Sequence, residues 1–294
     1  MPVALSAGRW IHYRELGGGG ADPVPVLLLM GLGGSGRLWW RLEPHLAPSW
    51  RLLVPDQRGT GLSDRLSRPL TMRTLLADAL AVLDDAGAAQ AHVVGISLGG
   101  MVAQRLALDH RERVRSLLLA ATTAQGRRLA LRLPWREAAI AAARPLLGAD
   151  GTVRRMAPAL YGPATVGRRP ERIDEDMVER GIDPTPTVTA AAQLAVAAGH
   201  DVRGRLAELR GLPVTVVHGE ADRLIGVAHG RALAAAIPGA ESVMIPGAGH
   251  LLVTDAEQAI ARAVAAHLRR ADPRSTAPSG VAPKGSNAGP VSPR

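Results

Sequence analysis

The 294-residue chain contains no cysteine. That excludes disulfides, thiolate metal sites and a cysteine nucleophile, and it leaves serine as the natural residue for covalent catalysis. A cysteine-free chain also suits a reducing compartment, so a cytoplasmic location is expected. Phenylalanine is absent too, and two tyrosines and five tryptophans offer little for nucleic-acid bases to stack on. Lys284 is the only lysine; every other basic residue is an arginine, spread along the chain rather than striped. The formal net charge is +9, and much of it lies beyond Leu268, where Arg269, Arg270, Arg274, Lys284 and Arg294 meet one acid, Asp272. The charge reads as solvated surface, and no nucleic-acid partner is expected. Long apolar runs are also lacking. The longest, Val26 to Met30, is far too short to cross a bilayer, and the chain does not start with a basic segment and an apolar core. Neither a signal peptide nor a membrane partner is expected.

What is present is a 47% hydrophobic composition, enough for one large core. Arg9-Trp10-Ile11-His12-Tyr13-Arg14 alternates as a strand does, and Val26 to Met30, Leu52 to Val54 and Ala91 to Ile96 are short buried runs. Thr71 to Gly87 has helical spacing, with Leu75, Leu76, Leu80 and Leu83 on one side. A helix from Gly99 to Asp109 and a strand over Val114 to Leu119 follow. Strands Pro213 to His218 and Ser242 to Ile245 come later, with helices Val227 to Ile237 and Gln258 to Leu268. This alternation predicts an α/β fold, a mostly parallel, doubly wound sheet covered on both faces. From Thr122 to about Arg210 the pattern changes to Ala/Leu/Arg-rich helical stretches broken by seven prolines, too long for one crossover. A helical cap over residues 122–210 is expected, inserted into a core of residues 1–121 and 211–270. Residues 271–294, rich in Pro, Gly, Ser and Ala, read as a disordered tail.

The chemistry centres on Gly95-Ile96-Ser97-Leu98-Gly99, where a β-branched run stops at a serine and a helix starts at once. In a strand–turn–helix setting, Gly-x-Ser-x-Gly forces the serine into a strained turn that exposes its hydroxyl. The Leu98 N–H then opens a helix N-terminus beside Ser97 and is an oxyanion donor. The Val26 strand ends in Gly31-Leu32-Gly33-Gly34-Ser35-Gly36, which also satisfies Gly-x-Gly-x-x-Gly, with Asp56 at the distance of a dinucleotide fingerprint. An NAD- or FAD-dependent oxidoreductase is therefore an alternative. Against it stand Trp39-Trp40 at the helix start, Pro55 before Asp56, and the lack of any role for Ser97. The competing reading makes the loop's Leu32 N–H a second oxyanion donor.

A serine hydroxyl needs a base and an acid that fixes the base's tautomer. Among nine histidines, His250 lies in Pro246-Gly247-Ala248-Gly249-His250-Leu251, just past the last strand, where a side chain reaches the sheet's C-terminal edge. His12, His92, His110, His267, His45 and His229 sit in strand or helix patterns and read as structural. His200 is a minor substrate-side candidate. His218-Gly219-Glu220-Ala221-Asp222 follows another strand and offers two carboxylates, of which Asp222 is the choice and Glu220 the alternative. A metal site from His218, Glu220 and Asp222 is a further reading, but a strand end seldom converges three such groups.

The order Ser97, Asp222, His250 is that of α/β-hydrolases, and the chain resembles an α/β-hydrolase-fold ester or lactone hydrolase over roughly residues 8 to 268. The resemblance rests on the Gly-rich loop, Pro55 to Asp64, the Ser97 turn, Gly219 to Asp222, and Gly247 to His250. Many relatives carry histidine before the oxyanion glycine; here it is Met30. The resemblance implies two-step acyl transfer without a cofactor or metal, and loops with few aromatics and no charged cluster suggest a small to medium, mostly apolar ester. Enol-lactonase and cofactor-free perhydrolase chemistry are alternatives, as is a non-catalytic ligand binder of the fold. Trp39, Met101, Tyr161 and Leu251 are candidate pocket residues.

Overall fold

The apolar runs that end at glycine or proline become the inner strands, because a chain covered on both faces has no polar alternation to keep. The structure, a computed structural model, describes residues 2–18, 24–127 and 135–272. Eight strands, β1 (Val3–Ser6), β2 (Arg9–Leu16), β3 (Val26–Leu29), β4 (Leu52–Pro55), β5 (Ala91–Ile96), β6 (Val114–Ala120), β7 (Val214–Gly219) and β8 (Glu241–Ile245), form one sheet. Its order is β1-β2-β4-β3-β5-β6-β7-β8. β1 and β2 pair antiparallel, as do β2 and β4; all later pairings are parallel. β1, to which the sequence pattern assigned no element, closes the edge through a tight turn at Ala7 and Gly8, both at positive φ.

Alternation along each strand divides the core into two layers. Leu27, Leu29, Val93, Leu117, Leu119 and Val216 face one side. There they pack under helices α2 (Met72–Asp85), α3 (Leu98–Asp109) and α9 (Val227–Ala236). Leu28, Val94, Ile96, Leu118 and Val217 face the other. That side is covered by α1 (Glu43–Leu46), α10 (Leu252–Asp255) and α11 (Glu257–Ala271). The Thr71 hydroxyl accepts from the Thr74 N–H at 3.1 Å, which sets the start of α2 where the sequence places it. α11 runs to Ala271, three residues past the predicted end; the rest of the expected tail, from residue 273, lies outside the described residues.

Between β6 and β7 the described chain is helical: α4 (Trp135–Ala142), α5 (Arg144–Leu160), α6 (Pro163–Arg168), α7 (Glu171–Ile182) and α8 (Thr187–Ala198). Prolines start these helices more often than they interrupt them. Pro145 and Pro163 lie in first turns, and Pro170 and Pro186 occupy N-cap positions, where a missing N–H costs nothing. α5 is broken at Gly148, which has φ 70°. Among the described residues, the strand pairing in this insertion is one isolated bridge, Gln125 to Asp201. No helix among the described residues is long and apolar enough to cross a membrane.

Behind the sheet, at the starts of its strands, lies a buried polar cluster. His267 reaches the Ser116 hydroxyl at 2.8 Å and the Thr215 hydroxyl at 2.7 Å, and His92 reaches the same Ser116 hydroxyl at 2.7 Å. Burial, followed by the nearby Arg270 charge, pushes the His267 pKa down to about 3. Burial and Arg105 push His200 down to about 4. The unfolded chain takes up these protons near pH 6.5, while the fold does not until far lower, so stability falls as pH drops below about 6.5. Each group contributes at most about 1.4 kcal/mol per pH unit to that slope. Denaturant midpoints should therefore decline steadily from pH 7 to pH 5, and His267→Gln should flatten the decline even if it lowers stability at pH 8. An unchanged slope in the variant would contradict this assignment.

Candidate active site

The site is built where β5 turns into α3. Ser97 has φ 55° and ψ −119°, a conformation that L-residues adopt only when their surroundings hold them there. Its carbonyl accepts from the Thr122 hydroxyl at 2.7 Å, and its N–H donates to the Ala120 carbonyl at 3.0 Å. The flanking glycines make the turn possible by close approach. A Cβ at Gly99 would lie 2.0 Å from the Leu29 carbonyl oxygen, and one at Gly95 would lie 2.4 Å from the Gly99 carbonyl oxygen.

Three distant segments meet at this turn. His250 Nε2 lies 3.0 Å from Ser97 Oγ, and His250 Nδ1 lies 2.8 Å from Asp222 Oδ2. Asp222 Oδ1 accepts from the N–H groups of Leu224 and Ile225 at 2.9 and 2.8 Å. Burial alone would raise the Asp222 pKa, but the His250 charge and hydrogen bonds from His218 and His250 hold the carboxyl well below the usual range. With Asp222 ionised, His250 carries its neutral-state proton on Nδ1, which leaves the Nε2 lone pair facing Ser97. Glu220, the alternative acid, instead pairs with Arg231 at 3.1 Å on the surface.

The loop after β3 reaches the same point. A Cβ at Gly31 would lie 3.2 Å from Ser97 Cβ, so the loop backbone passes directly beside the serine. Among the described residues, the N–H groups of Leu32 and Leu98 donate to no protein acceptor. The histidine missing before Gly31 is replaced by a different brace. Gln57 Nε2 donates to the Met30 carbonyl at 2.7 Å and Gln57 Oε1 accepts from Gln193 Nε2 at 3.2 Å, while Gln193 Oε1 accepts from the Gly33 N–H at 2.8 Å. Asp56 is also spent internally. Its carboxylate accepts from the N–H groups of Gly36 and Leu62 and bonds His12 at 2.8 Å. Buried and so occupied, it does not face a ribose, which removes the physical basis of the dinucleotide reading.

Several residues hold the site in roles that no local pattern marked. His218 is fully buried. Its Nε2 lies 2.6 Å from the Ile225 carbonyl, to which it donates, and 3.3 Å from Asp222 Oδ2. Gly230 makes room for that ring, since a Cβ there would come within 2.4 Å of it. Asp255 Oδ2 accepts from the N–H groups of Gly162 and Gly249, both at 2.7 Å, and so ties the His250 loop to the end of α5.

The expected pocket residues fare differently. Trp39 and Met101, each 1% exposed, lie in the two core layers, where packing of large apolar side chains under the loop and the turn outweighs exposure to a ligand. Tyr161 is equally buried; it packs on Ala157 and Ile173 and donates its hydroxyl to Asp176 at 3.0 Å. All three are buried among the core side chains. Leu251 stays half-buried beside His250 and lines a cavity with Met30 and Ile96. His200 is 3% exposed, and among the described residues neither ring nitrogen has a hydrogen-bond partner.

Gly99→Ala should lower stability by about 3 kcal/mol or more in denaturant unfolding, because backbone must move to admit the methyl. Gly204→Ala, with nothing within 4 Å, should change it by less than about 0.5 kcal/mol. Equal effects would contradict the close-approach account.

The α/β hydrolase fold family model matches residues 24–257. Rhodomycin D methylesterase DnrP of Streptomyces peucetius is 31% identical, with 92% of this chain and 99% of that protein aligned. A dihydrolipoyllysine-residue acetyltransferase component of an acetoin cleaving system, from Pseudomonas putida, is 30% identical over 90% of this chain and 68% of its own length. Among solved structures, the enol-lactonase from Burkholderia xenovorans LB400 superposes with a TM-score of 0.79 at 25% identity, covering 91% of this chain and 99% of that one. With a family match over most of its length and these relatives, the chain belongs to the α/β-hydrolase-fold family and is a hydrolase of that fold.

Proposed function

We propose that the protein is a carboxylic ester hydrolase working through an acyl-enzyme on Ser97. The observation that carries this reading is the unbroken line from Asp222 through His250 to Ser97, with separations of 2.8 and 3.0 Å. Ser97 Oγ attacks the ester carbonyl carbon while His250 Nε2 takes the hydroxyl proton. The N–H groups of Leu32 and Leu98 receive the developing oxyanion; in related chemistry one such donor is worth about 2.7–4 kcal/mol. The tetrahedral adduct collapses as His250 returns the proton to the departing alcohol, leaving the acyl group on Ser97. Water then attacks that acyl carbon with His250 as base, and the acid departs with Ser97 restored. Asp222 stabilises the imidazolium in both halves. The steps call on no cofactor or metal, and the partner is a small molecule.

Lactone hydrolysis is the second reading, supported by the enol-lactonase likeness. It uses the same steps, except that the leaving alcohol stays tethered to the acyl group. Perhydrolase chemistry has no separate observation in its favour.

An organophosphonate should add one adduct mass to the peptide containing Ser97, and Ser97→Ala should lose both the label and roughly 10³-fold or more of ester turnover. Turnover should fall in acid, where an imidazole base is lost, with no separate step from Asp222, whose carboxyl is held well below the usual range. Labelling at another residue, or a flat profile from acid to neutral pH, would contradict the proposal.

A further inference from the structure

Two arginines of the helical insertion stand over the loop beside Ser97, and among the described residues neither forms an ion pair with a carboxylate. Arg180, in the last turn of α7, donates from Nη1 to the Gly33 carbonyl at 3.4 Å. The Thr185 hydroxyl donates to the same carbonyl at 3.1 Å, and Arg144 Nη2 donates to the Thr185 carbonyl at 2.9 Å. Among the described residues, neither guanidinium has a carboxylate partner, and the Nε of each is buried with no acceptor. Their neighbours differ. Arg37 pairs with Asp183 at 2.9 Å, Arg172 with Glu257 at 2.6 Å, and Arg41 with Glu175. The Arg144 pKa is lowered first by burial and then by the Arg180 charge, and both side chains bond into the Thr185–Gly33 contact.

Holding two like charges together, partly buried and unpaired, disfavours the fold. Such an arrangement persists where a ligand of opposite charge completes it. Arg180 also lines a cavity of about 20 Å³ together with Met30, Ile96 and Leu251, the residues adjoining Gly31, Ser97 and His250. That space admits a group about the size of one carboxylate oxygen. Asp176 shares the wall, but its oxygens accept from Tyr161, Thr254 and Arg41. Its charge is balanced there, while Arg180 has no carboxylate partner among the described residues.

We propose that Arg180, backed by Arg144, recognises an ionised carboxyl group on the substrate, remote from the carbonyl under attack. This rests on the ester-hydrolase reading and narrows it: the substrates are half-esters or lactones of dicarboxylic acids, not the mostly apolar esters the sequence suggests. A guanidinium fork matches a carboxylate in shape as well as charge, so lysine at this position is a poor substitute.

The test has a binding arm and a turnover arm. At fixed ionic strength, glutarate should raise the thermal unfolding midpoint of the wild-type protein, its neutral counterpart glutaramide should not, and Arg180→Met should abolish the glutarate shift. For a matched pair, an aryl half-ester of glutaric acid and the corresponding aryl valerate, the wild-type kcat/KM should favour the half-ester. Arg180→Met should cut that ratio tenfold or more, with Arg180→Lys in between. A purely structural role would lower both substrates together and leave the ratio intact. Should Arg180→Met fail to fold, Arg144→Met takes its place and should reduce the same ratio. No midpoint shift with glutarate, an equal shift in the variant, or an unchanged ratio overturns the inference. If the neutral ester is still cleaved in a Ser97-dependent way, the hydrolase reading survives that failure. If glutarate binds through Arg180 but neither ester is cleaved, the anion site stands and the hydrolase reading falls.

Discussion

The contact between the backbones of Gly99 and Leu29 governs the molecule's chemistry. Helix α3 reaches strand β3 so closely that any side chain at position 99 would run into the Leu29 carbonyl, 2.0 Å away. That closeness forces the strained turn at Ser97, and the strain is sustained by the two buried layers on either side of the sheet. It lifts the Ser97 hydroxyl out of the core and aims the first N–H of α3 at the same spot. The Gly31 loop can then pass beside the serine, because it continues the very strand that α3 presses against.

The other two members of the line come from the next strands across the sheet, β7 and β8, and their loops are braced against each other. The Ala221 N–H donates to the Ala248 carbonyl at 2.9 Å, and a Cβ at Gly219 would lie 2.3 Å from that same oxygen. Asp222 is held from below by two backbone N–H groups and flanked by two imidazoles, those of His218 and His250. The helical insertion reaches into this arrangement at two points. Gln193 and Arg180 bond the Gly33 backbone, and the N–H at Gly162 shares Asp255 with the His250 loop. Residues far from the reacting atoms thus fix the loops that carry them.

The parts legible in the sequence were those written in short range. Strand runs ending at glycine, and turn residues on either side of Ser97, Asp222 and His250, mark the sheet's C-terminal edge without knowledge of the fold. The helix over Thr71 to Gly87 and the buried runs of β3, β5 and β6 were legible for the same reason. Long-range partners were not. Nothing near Gln193 announces that it will stand in for a histidine absent from the loop 160 residues earlier. His218 looked like one corner of a metal cluster, yet its ring turns to the Ile225 carbonyl and the Asp222 carboxylate. Trp39 and Met101 lie near the reactive loops in sequence, but strand and helix periodicity turn them into the core, where large apolar side chains contribute most. That Arg144 and Arg180 have no carboxylate partner among the described residues shows only once Asp183, Glu257 and Glu175 have been assigned to other arginines.

The proposed chemistry depends on His250, oriented by Asp222, making the Ser97 hydroxyl nucleophilic at neutral pH. Quenched-flow mass spectrometry with an activated acetate ester tests it most directly, by timing the appearance of an acetyl group on the peptide that contains Ser97. Acetylation should be rapid in the wild-type protein and slower by roughly 10³-fold or more in both His250→Ala and Asp222→Asn. Acetylation of Ser97 at the wild-type rate without His250, or its absence from the wild-type protein, would contradict the account.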